Sequence, residues 1–274
     1  MNSYTHRAMD TEFAVSFAAG EDETLCAAAA AAVFARLDEL ELLLTRFNDT
    51  SDVAVIRGLS PGQVAVVARE TMDVLATSAQ VCAATNGAFD PTVKARNFSD
   101  LTLDVENLRV AVKHSPVELD FGGIGKGFAL DEMAEILRSE QFGLQNWLLD
   151  AGTSTLLASG GPWPLGVGGV WKTRTRLPTV LRLSSGALSG SGFEIQGAHI
   201  FDPRSGHAAE RWAQSWARAR SAAVADALST AALSLSPDEL SAAAAALDAA
   251  ILVARRQKPF MDRFRDPLKW YGNA

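Results

Sequence analysis

The stretch LDFGGIGKGFALD, residues 119–131, places four glycines and one lysine within six consecutive positions. Apolar residues then recur at the spacing of an amphipathic helix, at Ala129, Met133, Ile136 and Leu137. The glycine-rich turn is therefore predicted to open a helix over 126–138. Free backbone N–H groups at such a turn, together with the helix dipole, favour an anion. The stretch predicts a phosphate site in which the N–H groups of residues 122–127 surround the phosphate oxygens.

Two common phosphate-binding motifs do not match this turn. A P-loop requires Ser or Thr after Gly-Lys, whereas Lys126 is followed by Gly127. A dinucleotide fingerprint requires a third glycine where this chain has Phe128. From this stretch alone, the identity of the phosphate stays open.

The composition describes an ordinary globular protein. The chain has 274 residues, 48% of them hydrophobic, and a net charge of −7 without a basic run, which argues against nucleic acid as a partner. Cys26 and Cys82 lie in alanine-rich segments, and we expect two free thiols rather than a disulfide. The start lacks a basic segment followed by a long apolar stretch, and no apolar window is long enough to insert into a membrane. We therefore expect a cytoplasmic protein.

Strand and helix patterns alternate irregularly along the chain. Helices are predicted over 22–44, 70–84, 126–138, 222–235 and 237–247, and strands over 11–17, within 101–120, through a strand-rich segment up to 188, and over 250–253. No change in composition marks a domain boundary. This pattern predicts an α+β fold in one compact domain, residues 1–274.

Asp226 and Thr230 lie four residues apart, so a helix places them on the same face. A carboxylate and a hydroxyl are oxygen ligands suited to Mg²⁺, which takes few ligands from the protein itself. Taken alone, the pattern favours a solvated helix face, because the apolar stripe lies opposite, at Val224, Ala227, Leu228 and Ala231.

His199 precedes an Asp-Pro turn in GAHIFDPRSG, where it could be a hydrogen-bonded structural residue or a catalytic base. His207 follows eight residues later, and nothing nearby completes a zinc site. A serine hydrolase is also excluded, because Gly186 to Gly190 reads GALSG and not G-x-S-x-G.

Seven stretches taken together resemble the ApbE-type FAD:protein FMN transferase family, in the order of the family's motifs. They are MDTEF (9–13), TRFNDTSDVAVI (45–56), NGAFDPTV (86–93), LDFGGIGKGFALD (119–131), GALSGSG (186–192), AHIFDPRSG (198–206) and ADALSTA (225–231). The resemblance implies a T-fold-related architecture. It also implies Mg²⁺-dependent transfer of FMN from FAD to a Ser or Thr hydroxyl of an acceptor protein, with release of AMP. Mn²⁺ stays open as the alternative metal.

The resemblance also assigns roles to individual residues. The phosphate at the glycine-rich turn becomes the pyrophosphate of FAD. Gly123, through its carbonyl, Asp226 and Thr230 resemble the metal ligands, and His199 resembles the family's base. The implied FAD contacts are Met9, Phe47, Ala88, Phe89, Asp90, Asp120, Lys126 and Ile200.

The chain departs from the family pattern in two places. Ala151-Gly152 followed by Thr153-Ser154 stands where the family commonly has Gly-Gly and an asparagine, and Arg57 stands where a motif usually ends in asparagine. These departures leave two alternatives open. One is an FAD pyrophosphatase that gives FMN and AMP, and the other is a non-catalytic FAD-binding protein.

If His199 takes the proton of the acceptor hydroxyl, His199→Ala should lower the transfer rate by about 10²- to 10⁴-fold, the usual contribution of a general base. FAD binding should be retained, because the substitution removes no phosphate contact. Flavin fluorescence of the acceptor on a denaturing gel gives the rate, and a fluorescence titration gives the affinity for FAD. Transfer at the wild-type rate would remove His199 from the mechanism.

Overall fold

The computed structural model describes residues 1–92, 96–152, 154–167, 179–192, 200–209, 211–255 and 268–272. The helices in these ranges are α1 (Glu23–Leu44), α2 (Asp52–Arg57), α3 (Arg69–Ala84), α4 (Gly125–Arg138), α5 (Ala222–Ala232) and α6 (Pro237–Ala246), with a short 3₁₀ turn at Phe98–Asp100. The strands are β1 (Asn2–Ala8), β2 (Thr11–Phe17), β3 (Val64–Val66), β4 (Leu101–Asp104), β5 (Arg109–Val112), β6 (Trp147–Asp150), β7 (Thr155–Val167), β8 (Thr179–Gly192), β9 (Gln214–Ala219), β10 (Ala250–Ala254) and β11 (Leu268–Gly272).

Eight of these strands form one antiparallel sheet in the order β1-β2-β6-β7-β8-β9-β10-β11. A separate three-stranded sheet has the order β3-β5-β4. The main core lies between the large sheet and the helices, and a smaller apolar cluster includes Trp163, Leu183 and Leu252 on β7, β8 and β10. The predicted α+β class is therefore confirmed. Within the described ranges, the helices are too short or too polar to cross a bilayer.

The hairpin of β1 and β2 closes through the two-residue turn Met9-Asp10. Both residues have positive φ angles, 49° and 60°, as the tight turns of two-residue hairpins require. The turn is fixed to α1, because the backbone N–H of Met9 donates to Glu41 Oε1 at 2.8 Å. Strand β1 is not predicted by the sequence pattern, because NSYTHRA is mostly polar and the strand forms an edge of the sheet.

Helix α1 packs on the core through a row of buried residues that includes Val33, Leu37 and Leu40. On its exposed side Arg36 donates to Glu70 of α3 and, at 2.6 Å, to Glu132 of α4. One guanidinium thus joins three helices at the edge of the core.

The contact between α4 and α5 joins the N-terminal ends of two helices. Asp131 of α4 accepts from the backbone N–H groups of Ala222 at 2.7 Å and Ala223 at 2.9 Å. In the other direction, Asp226 of α5 accepts from the backbone N–H of Gly127 at 3.0 Å. Each carboxylate therefore satisfies N–H groups that the first turn of a helix leaves unpaired.

Most predicted elements occur at the predicted positions, with differences at their ends. Strand structure within 101–120 stops at Val112. The segment that follows includes Pro116, which lacks an N–H group for a strand ladder, and it does not join a sheet. Helix α5 ends at Ala232 and not at 235. Cys26 and Cys82 are free thiols, as predicted.

Gly127→Ala should destabilise the protein by about 3 kcal/mol, the upper end of the usual cost of overpacking. A Cβ at Gly127 would lie 2.2 Å from the carbonyl oxygen of Ala222, a backbone atom that cannot move away without shifting α5. The matched control is Gly125→Ala in the same helix, whose Cβ would lie 3.5 Å from the Phe121 side chain, an ordinary contact. Urea denaturation should place the control within about 1 kcal/mol of wild type, and equal losses for both variants would contradict the tight α4–α5 contact.

Candidate active site

A cavity of about 710 Å³ opens where the β1–β2 turn, the glycine-rich turn, α5 and the segment after Ile200 meet. This volume lies in the range of small-molecule sites. The cavity is lined by nine of the residues to which the resemblance gave a role: Ala88, Phe89, Asp90, Asp120, Gly123, Lys126, Ile200, Asp226 and Thr230.

The glycine-rich turn has fewer free N–H groups than the sequence predicted. Asp120 accepts from Gly122 N at 2.9 Å, and the carbonyl of Phe121 accepts from Ile124 N and Gly125 N. Because Asp226 takes the N–H of Gly127, only Gly123 and Lys126 keep N–H groups without a partner among the described residues. The prediction that all N–H groups of residues 122–127 surround a phosphate is therefore wrong. Most of these N–H groups form hydrogen bonds that stabilise the conformation of the turn and its contact with α5.

Lys126 supplies a positive charge at the same turn. Its Nζ donates to the carbonyl of Gly122 at 3.2 Å, and the side chain lines the cavity. Two N–H groups, one ammonium and the N-terminus of α4 thus stand together, which suits a phosphate group.

Asp226 is 3% exposed and lines the cavity from α5. Its Oδ2 accepts from Gly127 N at 3.0 Å and its Oδ1 from Ser189 Oγ at 3.3 Å. Among the described residues, no Lys or Arg side chain forms an ion pair with it. A buried carboxylate without a cation is costly, so this position favours a bound cation.

The interpretation of Asp226 and Thr230 as a solvated helix face is wrong. Helix α5 is buried on almost every side, because it packs between α3, α4 and the strands β7 to β10. The face opposite its apolar stripe therefore points into the cavity and not into bulk water.

Thr230 lies beside Gly123, and Asp226 lines the same cavity. Thr230 Oγ1 lies 3.3 Å from Ser191 Oγ, and a Cβ placed on Gly123 would lie 3.6 Å from Thr230 Oγ1. The described part of the chain holds no group of three or more His, Cys, Asp or Glu side chains that could bind a metal. A cation here would meet one carboxylate and neutral oxygens, a donor set that fits Mg²⁺ with bound water or substrate and does not fit zinc.

Asp120 and Asp90, two other carboxylates of the cavity, are held by neighbouring groups. Asp120 pairs with Arg46 at 2.8 Å, and Asp90 Oδ1 accepts from Thr92 N at 2.8 Å. Asp10 completes a set of four acids, against the cations Arg46 and Lys126, among the described lining residues. The described lining thus has more acidic than basic side chains. An anionic ligand therefore needs a bound cation, in addition to Lys126, to offset the negative charge.

Two of the described residues with a predicted role do not line the cavity. Phe47 is 85% exposed, with the guanidinium of Arg46 4.9 Å from its ring centroid, and Met9 packs partly against the core. The neighbours Asp10 and Arg46 line the cavity instead. His199 lies outside the described residues, directly before Ile200.

Sequence reasoning missed further lining residues. All but Ser154 lie in a recognised motif, which was the available signal, and Ser154 lies where the chain departs from the family pattern. They are Asp10, Arg46, Ser154, Gly190, Ser191, Gly192, Phe201 and Pro203.

Comparisons with known proteins give a family and a fold. A model of the ApbE family matches residues 9–253. No curated protein sequence matches the chain. The flavin transferase ApbE from Vibrio cholerae has a similar structure, with a TM-score of 0.81 and 18% identity, over 98% of this chain and 96% of that one.

Two other solved structures agree with this. The flavinyl transferase ApbE of Pseudomonas stutzeri gives a TM-score of 0.80 at 23% identity, covering 94% of this chain and 91% of that one. The ApbE protein of Thermotoga maritima gives 0.74 at 24% identity, covering 92% and 94%. These likenesses confirm the ApbE-like fold that the sequence resemblance implied.

Asp150 ends β6, close to the loop that carries Ser154 into the cavity. Burial raises the pKa of its carboxyl to about 6, against the opposing effect of the backbone N–H of Gly152 and with a smaller contribution from the charge of Glu12. Its Oδ1 is buried without a hydrogen-bond partner among the described residues. The ionised form of Asp150 is therefore disfavoured in the folded protein.

Asp150→Asn should raise the free energy of unfolding at pH 8, because it removes a carboxylate that is costly to ionise in the folded state. Between the unfolded pKa of about 3.9 and the folded pKa of about 6, the folded protein binds the proton more tightly. Wild-type stability therefore falls as the pH rises through this window. The advantage of the variant should shrink towards pH 4.

Urea denaturation from pH 4 to pH 8 measures this difference. Glu140→Gln, a neutralisation at an exposed position, is the matched control. A difference between Asp150→Asn and wild type that does not change with pH would contradict the assignment.

Proposed function

The chain belongs to the ApbE family, and we propose that it is an FAD:protein FMN transferase acting on a Ser or Thr hydroxyl of an acceptor protein. The observation that carries the proposal is the cavity that the glycine-rich turn with Lys126 shares with the buried carboxylate of Asp226. In the described part of the chain this carboxylate has hydrogen-bond donors but no ion pair. One side of this cavity suits a phosphate, and the other suits a cation. A pyrophosphate ester bound with a divalent metal requires both.

The reaction forms one bond and breaks one. The oxygen of the acceptor hydroxyl bonds to the phosphorus of the FMN half of FAD, and the bond from that phosphorus to the bridging oxygen breaks. AMP leaves with the electron pair, and the hydroxyl proton passes to a base. The family resemblance assigns the base to His199, the residue before the cavity-lining Ile200.

Lys126 and the free N–H groups of Gly123 and Lys126 would hold the pyrophosphate oxygens. Phosphoryl transfer depends mainly on alignment and on charge neutralisation, and preorganised donors supply both without reorganising during the reaction. The hydrogen bonds from Gly122 and Gly125 keep the turn in shape and leave the N–H groups of Gly123 and Lys126 available for the ligand.

Asp226, Thr230 and the carbonyl of Gly123 would hold Mg²⁺ or Mn²⁺. The ion, when bound, would neutralise charge on the pyrophosphate and on the leaving AMP. Ser189 and Gly127 already hold the two carboxylate oxygens of Asp226 in place. Each oxygen keeps a lone pair for a ligand.

The remaining walls would bind the rest of FAD. Ala88 and Phe89 contribute an apolar part of the cavity lining. With Ile200 they offer a surface for the planar rings of the substrate, and Asp90 and Asp120 offer acceptors for its polar groups. We retain Met9 and Phe47 as proposed FAD contacts at the edge of the site.

The test incubates the protein with FAD, Mg²⁺ and a protein extract of the source cells, with and without EDTA. A transferase should give a fluorescent acceptor band on a denaturing gel, and AMP equal to the flavin bound, only when metal is present. Release of FMN and AMP without a band would contradict transfer and indicate an FAD pyrophosphatase. Intact FAD would indicate a binding protein without activity.

Asp226→Asn should lower metal-dependent AMP release by about two orders of magnitude or more, because metal ions supply several kcal/mol of charge stabilisation in such reactions. Asn keeps an oxygen that can accept from Gly127 N, so the fold should be preserved. Mn²⁺ affinity, followed by electron paramagnetic resonance, should fall in parallel. Asp238→Asn in the first turn of α6 is the control, and wild-type Mn²⁺ affinity in Asp226→Asn would exclude Asp226 as a ligand.

A further inference from the structure

Arg204 forms a cluster of polar contacts behind the cavity wall. Its Nε and Nη2 donate to the two carboxylate oxygens of Asp202, each at 2.9 Å. Nη1 donates to Glu239 Oε1 at 2.6 Å, and Nη2 also reaches the carbonyl of Ser234 at 3.4 Å. We call Asp202, Arg204, Ser234 and Glu239 the Arg204 cluster.

The first segment that the cluster holds is the loop carrying Arg204 itself. Phe201 and Pro203, just before Arg204, line the cavity. The loop is closed by the backbone N–H of Gly206, which donates to the carbonyl of Asp202 at 2.8 Å, and by a bridge between Phe201 and Ala208. These two contacts close the loop. A displacement of Arg204 therefore also displaces Phe201 and Pro203, the residues of the loop that line the cavity.

The second segment is the connection between α5 and α6. Ser234 is the second residue after the end of α5, the helix that carries Asp226 and Thr230. Glu239 is fixed independently of Arg204, because its Oε2 accepts from the backbone N–H of Ser236 in a capping box at the start of α6. The two oxygens of Glu239 thus join the loop to the start of α6. The carbonyl of Ser234 joins the loop to the connection that follows α5.

The third segment is the turn before Ala88, Phe89 and Asp90. Gly87 has a φ of 76°, and a Cβ placed there would lie 3.8 Å from Arg204 Cγ. From the same side Arg96 Nη1 donates to the backbone carbonyl of Arg204 at 2.6 Å. Three parts of the cavity wall that are distant in sequence therefore meet at one side chain.

We propose that Arg204 is a positioning residue that fixes the loop of Ile200, Phe201 and Pro203 against α5 and the turn at Gly87, and thereby sets the affinity of the cavity for FAD. The inference rests on the proposed function for the identity of the ligand. Arg204 does not itself line the cavity. The planar, forked guanidinium is required because it donates to three acceptors in different directions, which an ammonium on a flexible stem does not reproduce.

The test compares Arg204→Lys and Glu239→Gln with Ser236→Ala. Lysine keeps the charge and loses the fork, and glutamine keeps the capping box and loses the charge. Ser236→Ala weakens the same capping box without removing a partner of Arg204, so it controls for loss of stability alone. Thermal unfolding, a fluorescence titration with FAD, and hydrogen exchange of a peptide covering 200–206 are measured for each variant.

Arg204→Lys should raise the dissociation constant for FAD by about tenfold, since small displacements of positioning groups have effects of this size or larger. Hydrogen exchange within 200–206 should accelerate, and Glu239→Gln should show both effects to a smaller degree. Ser236→Ala should lower the unfolding temperature and leave the affinity and the exchange of this peptide unchanged. FAD affinity that falls in proportion to stability in all three variants would overturn the proposal.

The exchange measurement separates this inference from the proposed function. If the wild-type protein binds no FAD, the proposed function fails, whereas the exchange of 200–206 still reports on the loop. Faster exchange in Arg204→Lys and not in Ser236→Ala would then support the positioning role. Unchanged exchange in Arg204→Lys would overturn it whatever the affinity for FAD.

Discussion

The reciprocal contact between α4 and α5 is the interaction on which the site depends. Asp131 of α4 accepts from the first N–H groups of α5, and Asp226 of α5 accepts from Gly127 in the first turn of α4. The absence of a side chain at Gly127 lets the two backbones meet. Because α4 begins at the glycine-rich turn and α5 carries Asp226 and Thr230, the same contact places a phosphate-binding turn beside a carboxylate.

Asp226 has two roles: it stabilises the contact between α4 and α5, and it is a proposed metal ligand. Its charge is buried, and it is compensated by a backbone N–H and a hydroxyl but by no cation among the described residues. These hydrogen bonds reduce the cost of burying the carboxylate, but they do not fully replace its lost hydration. The carboxylate therefore still favours binding of a divalent cation. The hydroxyls of Ser191 and Thr230 extend the same environment towards Gly123 with neutral oxygens. The proposed reaction needs a metal site of this kind, with one carboxylate and few other ligands from the protein.

The sequence predicted local structure well where one residue pattern decides it. The helices α1, α3 and α4 begin and end within a residue or two of the predicted positions, since their apolar spacing and terminal residues act within a few turns. Strand β1 was missed because an edge strand needs few apolar residues. The free N–H groups of the glycine-rich turn were overestimated, because the side chain of Asp120, the carbonyl of Phe121 and the distant Asp226 occupy most of them.

The sequence by itself determined the α+β class, the glycine-rich turn at the start of α4 and, through ordered motifs, most residues that line the cavity. These features depend on periodicity, on backbone freedom and on short motifs, all of which are local. Only the tertiary structure decided that Asp226 and Thr230 face a cavity and that Arg204 joins three parts of its wall. Helical periodicity identifies the apolar face of α5, but burial of the opposite face depends on elements far away in the chain, which no local pattern records.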